Sequence, residues 1–318
     1  MSYRLSVIVP VFNEEALVSE LMSRFQNLVE LLERRSIALS QEIEVIFVND
    51  GSQDGTLPLL IAASHTYPWC RVVDLSRNFG HQIAVSAGLD FSTGDAVAII
   101  DGDLQDPPEL IADMLVKLSE GYDVVYGVRR VRKNETLFKR ATAALFYRLL
   151  RVLTSVDIPL DTGDFRVMSR RVTDVLCDMP EKHRFLRGLV SWIGFKQIGF
   201  EYDRDARFAG ETKYPLSKMI GFALDGLTSF STTPLRLIGQ LGYLVVLVGF
   251  FYAIYVLYAS LILGVTVEGW TSTVLIVLIM GGVQLISLGI IGNYVGRSHV
   301  ELKKRPLYVV RDVYSFME

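Results

Sequence analysis

Apolar and polar positions fall into alternating blocks over the first two-thirds of the chain. Leu5 to Val11 (LSVIVPV) is an unbroken apolar run of strand length, and Phe12-Asn13-Glu14-Glu15 turns the chain out of it. From about Ala16 to Arg34, Leu17, Leu21, Phe25, Leu28 and Leu32 recur at helical spacing. Ile43 to Val48, Arg71 to Leu75, Val97 to Ile100 and Asp123 to Gly127 read as further strands. Leu57 to Ser64 and Ile83 to Leu89 read as helices between them, and Gly194 to Tyr202 is strand-like. Strands alternating with helices predict an α/β fold with a mainly parallel sheet. Such sheets bind ligands beyond the carboxyl ends of their strands. Those ends are polar here: Asn49-Asp50-Gly51-Ser52, Ser76-Arg77-Asn78-Phe79-Gly80-His81 and Asp101-Gly102-Asp103.

The last third has a different pattern. Leu241 to Leu263 and Thr271 to Val295 carry no charged residue over about 23 and about 25 positions, each enough to cross a bilayer. Tyr243, Tyr258 and Trp270 suit the interfaces. Two amphipathic stretches precede these spans. One is basic, running from Arg129 to Leu153 with Glu135 as its one acid. The other runs from Leu216 to Phe230. Half of all residues are hydrophobic and the mean hydropathy is +0.33, too apolar for an ordinary soluble enzyme. The net charge of −3 hides a segregation of charge along the chain. Arg236 on one flank and Arg297, Lys303, Lys304 and Arg305 on the other place both termini in the cytoplasm by the positive-inside rule. No signal-peptide pattern opens the chain, and Cys70 and Cys177 lack metal-ligand spacing.

The candidate chemistry narrows the function class. No Gly-x-Gly-x-x-Gly follows the first strand and no Walker lysine is present, which argues against dinucleotide oxidoreductases and P-loop NTPases. Asp101 and Asp103, two hard oxygen ligands at a strand end, suit Mg²⁺ or Mn²⁺ completed by substrate phosphates. His81 reads as a polar histidine at the site edge rather than a general base. Asp157, Asp161, Asp164 and Arg166 form a second acidic centre in a stretch rich in Gly and Pro, read as a loop.

The segments VIVPVFNEE, NDGSQDGT, SRNFGHQ, DGDLQDPPE and DTGDFRVMSR, in that order, resemble the family-2 glycosyltransferases with the GT-A fold. The similarity is nearest to the polyprenyl-phosphate branch, which includes dolichyl-phosphate mannose synthases, aminoarabinose transferases and GtrB-type glucosyltransferases. One departure is Asn49 where many relatives have Asp. The resemblance implies a Rossmann-like GT-A catalytic domain over 1–212 and a juxtamembrane amphipathic helix over 213–235. Two transmembrane helices over 236–297 and a cytoplasmic tail over 298–318 complete that expectation. It implies metal-dependent, inverting transfer of a sugar, glucose from UDP-glucose in the first instance, to undecaprenyl phosphate.

On the same resemblance, Pro10, Asn13, Glu14 and Asp50 line the nucleoside pocket, Asp101 and Asp103 hold the metal, and Gln105 lies nearby. Arg207 and Lys213, in a stretch similar to the family's Arg-x-x-Gly-x-Ser/Thr-Lys loop, are expected on phosphates, as are Arg129, Lys139 and Arg140 from the basic amphipathic stretch, with Arg77 and Arg166 as further substrate contacts. Asp157, then Asp164, are the acceptor-side catalytic candidates, beside Asp103. A phosphate acceptor with a second pKa of about 6 is largely dianionic at neutral pH, so a base is not required of them. The partners expected are a nucleotide-sugar, a lipid-linked phosphate and a membrane, with no nucleic acid. The glycine-rich second span allows self-association. Rival expectations are another donor (GDP-mannose or a UDP-aminoarabinose derivative), a processive polysaccharide synthase, or a non-catalytic nucleotide-sugar-binding scaffold. The synthase reading lacks its usual Gln-x-x-Arg-Trp motif and additional spans.

Overall fold

The structure is a computed structural model; it describes residues 3–130, 162–182, 184–203, 233–262 and 269–316. The chain divides into two compact units. All eight strands seen among the described residues belong to the first. In chain order its elements are β1 (Leu5–Val11), α1 (Val18–Arg34), β2 (Ile43–Asn49), α2 (Thr56–Ser64), β3 (Cys70–Leu75), α3 (His81–Phe91), β4 (Ala96–Ile99), α4 (Leu110–Ser119) and β5 (Val124–Arg129). Next come β6 (Thr162–Ser169), α5 (Arg170–Asp178), α6 (Leu186–Ile193), β7 (Gln197–Tyr202) and, near the C-terminus, β8 (Val310–Tyr314).

The strands form one sheet in the order β7-β5-β6-β4-β1-β2-β3-β8. β4, β1, β2 and β3 run parallel, as do β5 and β7. β6 lies antiparallel between β4 and β5, and β8 pairs antiparallel with β3. The mainly parallel α/β expectation is therefore met. The apolar runs are unbroken because helices cover both faces, so every residue of β1 is buried. α1 buries Leu21, Phe25, Leu28 and Leu32 along one stripe, with Phe25 edge-on to Phe47 of β2 at 5.7 Å between ring centroids. α3 reaches the opposite face through Gly88, where a Cβ would sit 2.3 Å from Ile8 Cγ2.

Two sequence expectations are corrected. The stretch read as a loop around Asp164 and Arg166 is, from Thr162 onward, the buried strand β6. Its apolar pattern is interrupted by two charges that neutralise each other and neighbouring residues inside the protein. The segment read as a tail contributes β8 to the sheet.

The second unit holds α7 (Thr233–Leu261) and α8 (Trp270–Leu302). At 29 and 33 residues, both are long enough to cross a bilayer, and an apolar window in each (Leu235–Tyr252 and Ile279–Leu302) has none of its residues buried. Large apolar side chains such as Phe250, Phe251, Ile286 and Leu288 stand exposed. A helix that is apolar and unburied calls for a lipid-like surrounding. The basic stretch after Arg130, Asp157, Asp161, the Arg207–Lys213 loop, the Leu216–Phe230 helix and the boundary at 212–213 lie outside the described residues.

Candidate active site at the carboxyl edge of the sheet

The parallel strands β1, β2, β3 and β4 all end on one edge, and each end delivers polar groups there. Pro10 is buried within β1. Asn13, in the left-handed region (φ 54°), turns the chain away from the strand. Its backbone N–H donates to Ser52 Oγ (3.0 Å), and its own Oδ1 accepts from the Gln53 N–H (2.8 Å). The Glu14 N–H donates to Thr56 Oγ1 (2.9 Å). The loops after β1 and β2 are thereby stitched together.

Asp50 is 3 % exposed, and its two oxygens accept from the backbone N–H groups of Phe79 (2.7 Å) and Gly80 (2.9 Å). Burial raises its pKa, and those two N–H groups offset only part of the shift. Asp50 therefore shapes the loop after β3 from inside. Gly51 (φ +66°) lies against that loop, and a Cβ there would be 2.5 Å from the backbone of Arg77 and Asn78. Arg77 sits over the Phe79 ring, 4.0 Å from its centroid.

After β4 come Asp101, Gly102 and Asp103. Asp103 Oδ1 accepts from the Gln105 N–H (3.2 Å), which tightens the turn. Asp106, wholly buried, accepts from Tyr202 Oη and lies 3.7 Å from Arg129 Nη2. These contacts tie the turn to the ends of β5 and β7. Arg129 thus packs beneath the turn, and its pKa is raised although burial opposes this, chiefly by the Asp106 charge.

Three ligand-type atoms of His81, Asp101 and Asp164 lie within 4.8 Å of one another. His81 Nε2 is 3.2 Å from Asp164 Oδ2 and 3.4 Å from Asp101 Oδ1. Asp164, on β6, is the hub. Besides His81 it accepts from Gln82 Nε2 (2.9 Å) and Arg187 Nε (2.9 Å), with Arg166 Nη2 3.8 Å away. Burial opposes its ionisation, yet the Arg187 charge and the His81 contact hold its carboxyl well below the usual range. Burial also pulls His81 down, but the hydrogen bond with Asp164 and the charges of Asp101 and Asp164 push it up to about 9. Burial lowers Arg166 to about 10. Asp101 is raised, first by burial and then by its acidic neighbours, with His81 opposing.

Asp101 Oδ1 is buried and accepts no hydrogen bond. A buried carboxylate oxygen that accepts no hydrogen bond, beside further acids, is a donor set that fits a divalent cation. The sequence pairs Asp101 with Asp103 for that task. The fold instead gathers Asp101 with His81 and Asp164. Both Asp164 oxygens already accept from neighbours, His81, Gln82 and Arg187, and a metal held by Asp101, His81 and Asp164 would displace the His81 proton.

Gln82, Asp106, Arg187 and Tyr202 went unassigned in the sequence. Arg187 follows a basic cluster whose direction no spacing reveals, Gln82 and Asp106 lie within the SRNFGHQ and DGDLQDPPE motifs without a role of their own, and Tyr202 sits in a stretch read only as strand. Asp157, Lys139, Arg140, Arg207 and Lys213 lie outside the described residues.

Residues 6–176 match the family model described as Glycosyl transferase family 2. The chain belongs to that family. The transferase is 50 % identical over 310 residues to the uncharacterized glycosyltransferase YkcC of Bacillus subtilis, covering 98 % of this chain and 94 % of that one. It is 39 % identical over 310 residues to the prophage bactoprenol glucosyl transferase homolog of Escherichia coli, covering 98 % and 99 %. To the bactoprenol glucosyl transferase of Shigella phage SfII it is 38 % identical over 308 residues, covering 97 % of each chain. Among solved structures, glucosyl-3-phosphoglycerate synthase of Mycobacterium tuberculosis with Mn²⁺, UDP-glucose and phosphoglyceric acid aligns at a TM-score of 0.46 and 21 % identity, over 70 % of this chain and 77 % of that one.

Proposed function

We propose that this transferase moves a glucosyl group from UDP-glucose to a polyprenyl phosphate, giving a polyprenyl-phosphate glucose at the membrane. The observation that carries this reading is the full-length similarity, apolar helices included, to proteins named bactoprenol glucosyl transferases. The site is consistent with it. The acceptor phosphate oxygen attacks C1 of the sugar, the bond from C1 to the diphosphate oxygen breaks, and UDP leaves with the electron pair. Configuration at C1 inverts.

In this reading Asp101 and Asp103 hold Mg²⁺ or Mn²⁺, which when bound neutralises charge growing on the departing diphosphate. The loops carrying Asn13, Asp50 and Arg77 cradle the nucleoside. Asp164, with His81 and Arg187, holds Asp101 in place. The basic residues Lys139, Arg140, Arg207 and Lys213 receive the phosphates, Arg129, paired with buried Asp106, braces the turn after β4 instead, and Asp157 attends the acceptor.

α7 and α8 cross the membrane as a pair. β8 lies in the same sheet as β1, so the segments before α7 and after α8 belong on one side, and the flanking positive charges make that side the cytoplasm. In this reading the catalytic domain over 1–212 also takes in β8, and the two spans lie within α7 and α8, which run past 236–297 at both ends. Holding both substrates at headgroup height supplies much of the rate through positioning.

The test is a transfer assay with the purified full-length protein, undecaprenyl phosphate, Mg²⁺ or Mn²⁺ and labelled UDP-glucose, counting label in the organic phase. Label is expected there, and its loss is expected with EDTA or in Asp101→Ala. Label from a different nucleotide-sugar replaces glucose as the donor sugar. Full transfer with the metal chelated refutes the metal assignment, and no label from any donor refutes the reaction.

A further inference from the structure

The strand β8 does more than close an edge. Opposite β3, Asp312 faces Asp74 and Val310 faces Leu75, so Arg311 is the extra residue of a bulge. Bulges re-aim side chains. Here the guanidinium turns onto the loops below the nucleoside pocket. Arg311 Nη1 donates to Asp74 Oδ2 (3.2 Å) and Nη2 to the Ser76 carbonyl (2.8 Å), while the Ser76 N–H donates to the Val309 carbonyl (2.9 Å). Asp74 is wholly buried, and its other oxygen accepts from Asn49 Nδ2 (2.7 Å). Asn49 Oδ1 in turn accepts from the Ser52 N–H (3.3 Å). Tyr308 adds a second anchor, donating from Oη to Asp90 Oδ2 (2.7 Å) at the far end of α3.

One cation thus reaches both donor-side loops. It grips 76–80 directly at Ser76 and reaches 49–53 through Asp74 and Asn49. These are the loops that Asp50 joins at Phe79 and Gly80. Asn49 fits this relay because its amide donates to Asp74 while its carbonyl oxygen accepts from Ser52. An aspartate there would set two carboxylates side by side.

We propose that Arg311 is a positioning residue for nucleotide-sugar binding, through which the segment following α8 sets the geometry of the donor loops. This rests on the reading of the 49–53 and 76–80 loops as the donor side. It predicts a change in donor binding with no change toward the acceptor, because the contacts lie on the β2 and β3 ends of the sheet.

The experiment uses the full-length protein in detergent. UDP binding with Mn²⁺ is measured by calorimetry, with GDP where UDP fails, alongside donor and acceptor KM and thermal midpoints. Arg311→Ala is expected to weaken nucleotide binding and raise donor KM about tenfold, the scale of losing charge-assisted hydrogen bonds, with acceptor KM unchanged. Arg311→Lys is expected to recover part of this, since one point charge replaces a two-pronged donor. Asp74→Asn in the Arg311→Ala background removes the uncompensated buried charge. It is expected to restore the midpoint while donor KM stays high.

Donor KM and nucleotide affinity within about twofold of wild type in Arg311→Ala would overturn the proposal, being well short of one such bond. So would equal rises in donor and acceptor KM. Recovery of donor KM together with the midpoint in the double variant would reduce Arg311 to a counter-ion for Asp74, and also overturns it. Wild-type protein that binds neither nucleotide fails at an earlier step: the donor-side reading falls before any variant is compared, and this role with it.

Discussion

Replacing Asp164 by Asn removes one charge and almost no volume, so no cavity term enters. The carboxylate is nearly inaccessible and faces His81, Gln82 and Arg187 within 3.2 Å, with Arg166 behind. Removing one partner of a buried ion pair costs about 3–5 kcal/mol, because the remaining charge stays desolvated. Here the lower end applies. The Arg187 side chain is a quarter exposed and keeps the Thr162 carbonyl at 3.1 Å. Arg166 keeps the carbonyls of Gly163 and Asp164, both at 3.1 Å.

A loss of about 3 kcal/mol lowers the unfolding midpoint of a domain this size by roughly 6–12 °C. Intrinsic fluorescence during heating, in detergent with EDTA, reads this. The wild-type carboxyl is held below its unfolded value, so its contribution is fully present above that value of about 4 and is lost as pH falls from there through the lower folded one. The Asn variant should lack that part of the acid slope. Transfer measured well below the midpoint separates support from chemistry. A proton-accepting Asp164 would lose about 10²- to 10⁴-fold in rate, whereas a support for Asp101 loses less. A variant with the wild-type midpoint and acid slope refutes the buried-hub account.

Two further outcomes are expected. Gly51→Ala, forced to φ +66° with its Cβ 2.5 Å from the backbone of Arg77 and Asn78, should push the 76–80 loop outward and weaken UDP binding about tenfold or more, read by calorimetry. His81 is raised from an unfolded value of 6.5 to about 9, so its stabilising proton is fully bound below about pH 6.5 and is lost as pH rises through about 9. Metal-free wild type should therefore lose thermal stability across that window, and His81→Gln should run flat; parallel curves sink the assignment.

Much of this architecture was legible in single segments. The buried strands announce themselves as apolar runs because each is covered on both faces, and burial is a property of the run itself. α1 is legible from its stripe of Leu and Phe, and α7 and α8 from uncharged length. Asp101-Gly102-Asp103 stands out because acids rarely end so apolar a strand without a use. β6 was not legible: Asp164 and Arg166 break its apolar pattern, and only the ring of Arg187, His81 and Gln82 makes their burial tolerable. β8 was not legible either, since VRDVY is short and polar, and an edge strand buries little.

What the chain alone determined is which segments leave water, because transfer of apolar side chains depends on local composition and period. What only the tertiary structure decided is which polar group faces which. Charge compensation is set by partners far apart in the chain, 83 residues from His81 to Asp164 and 237 from Asp74 to Arg311. No local pattern encodes those distances. The folded sheet brings the ends together, and with them the His81 contacts to Asp101 and Asp164 and the hold of the C-terminal strand on the loop after β3.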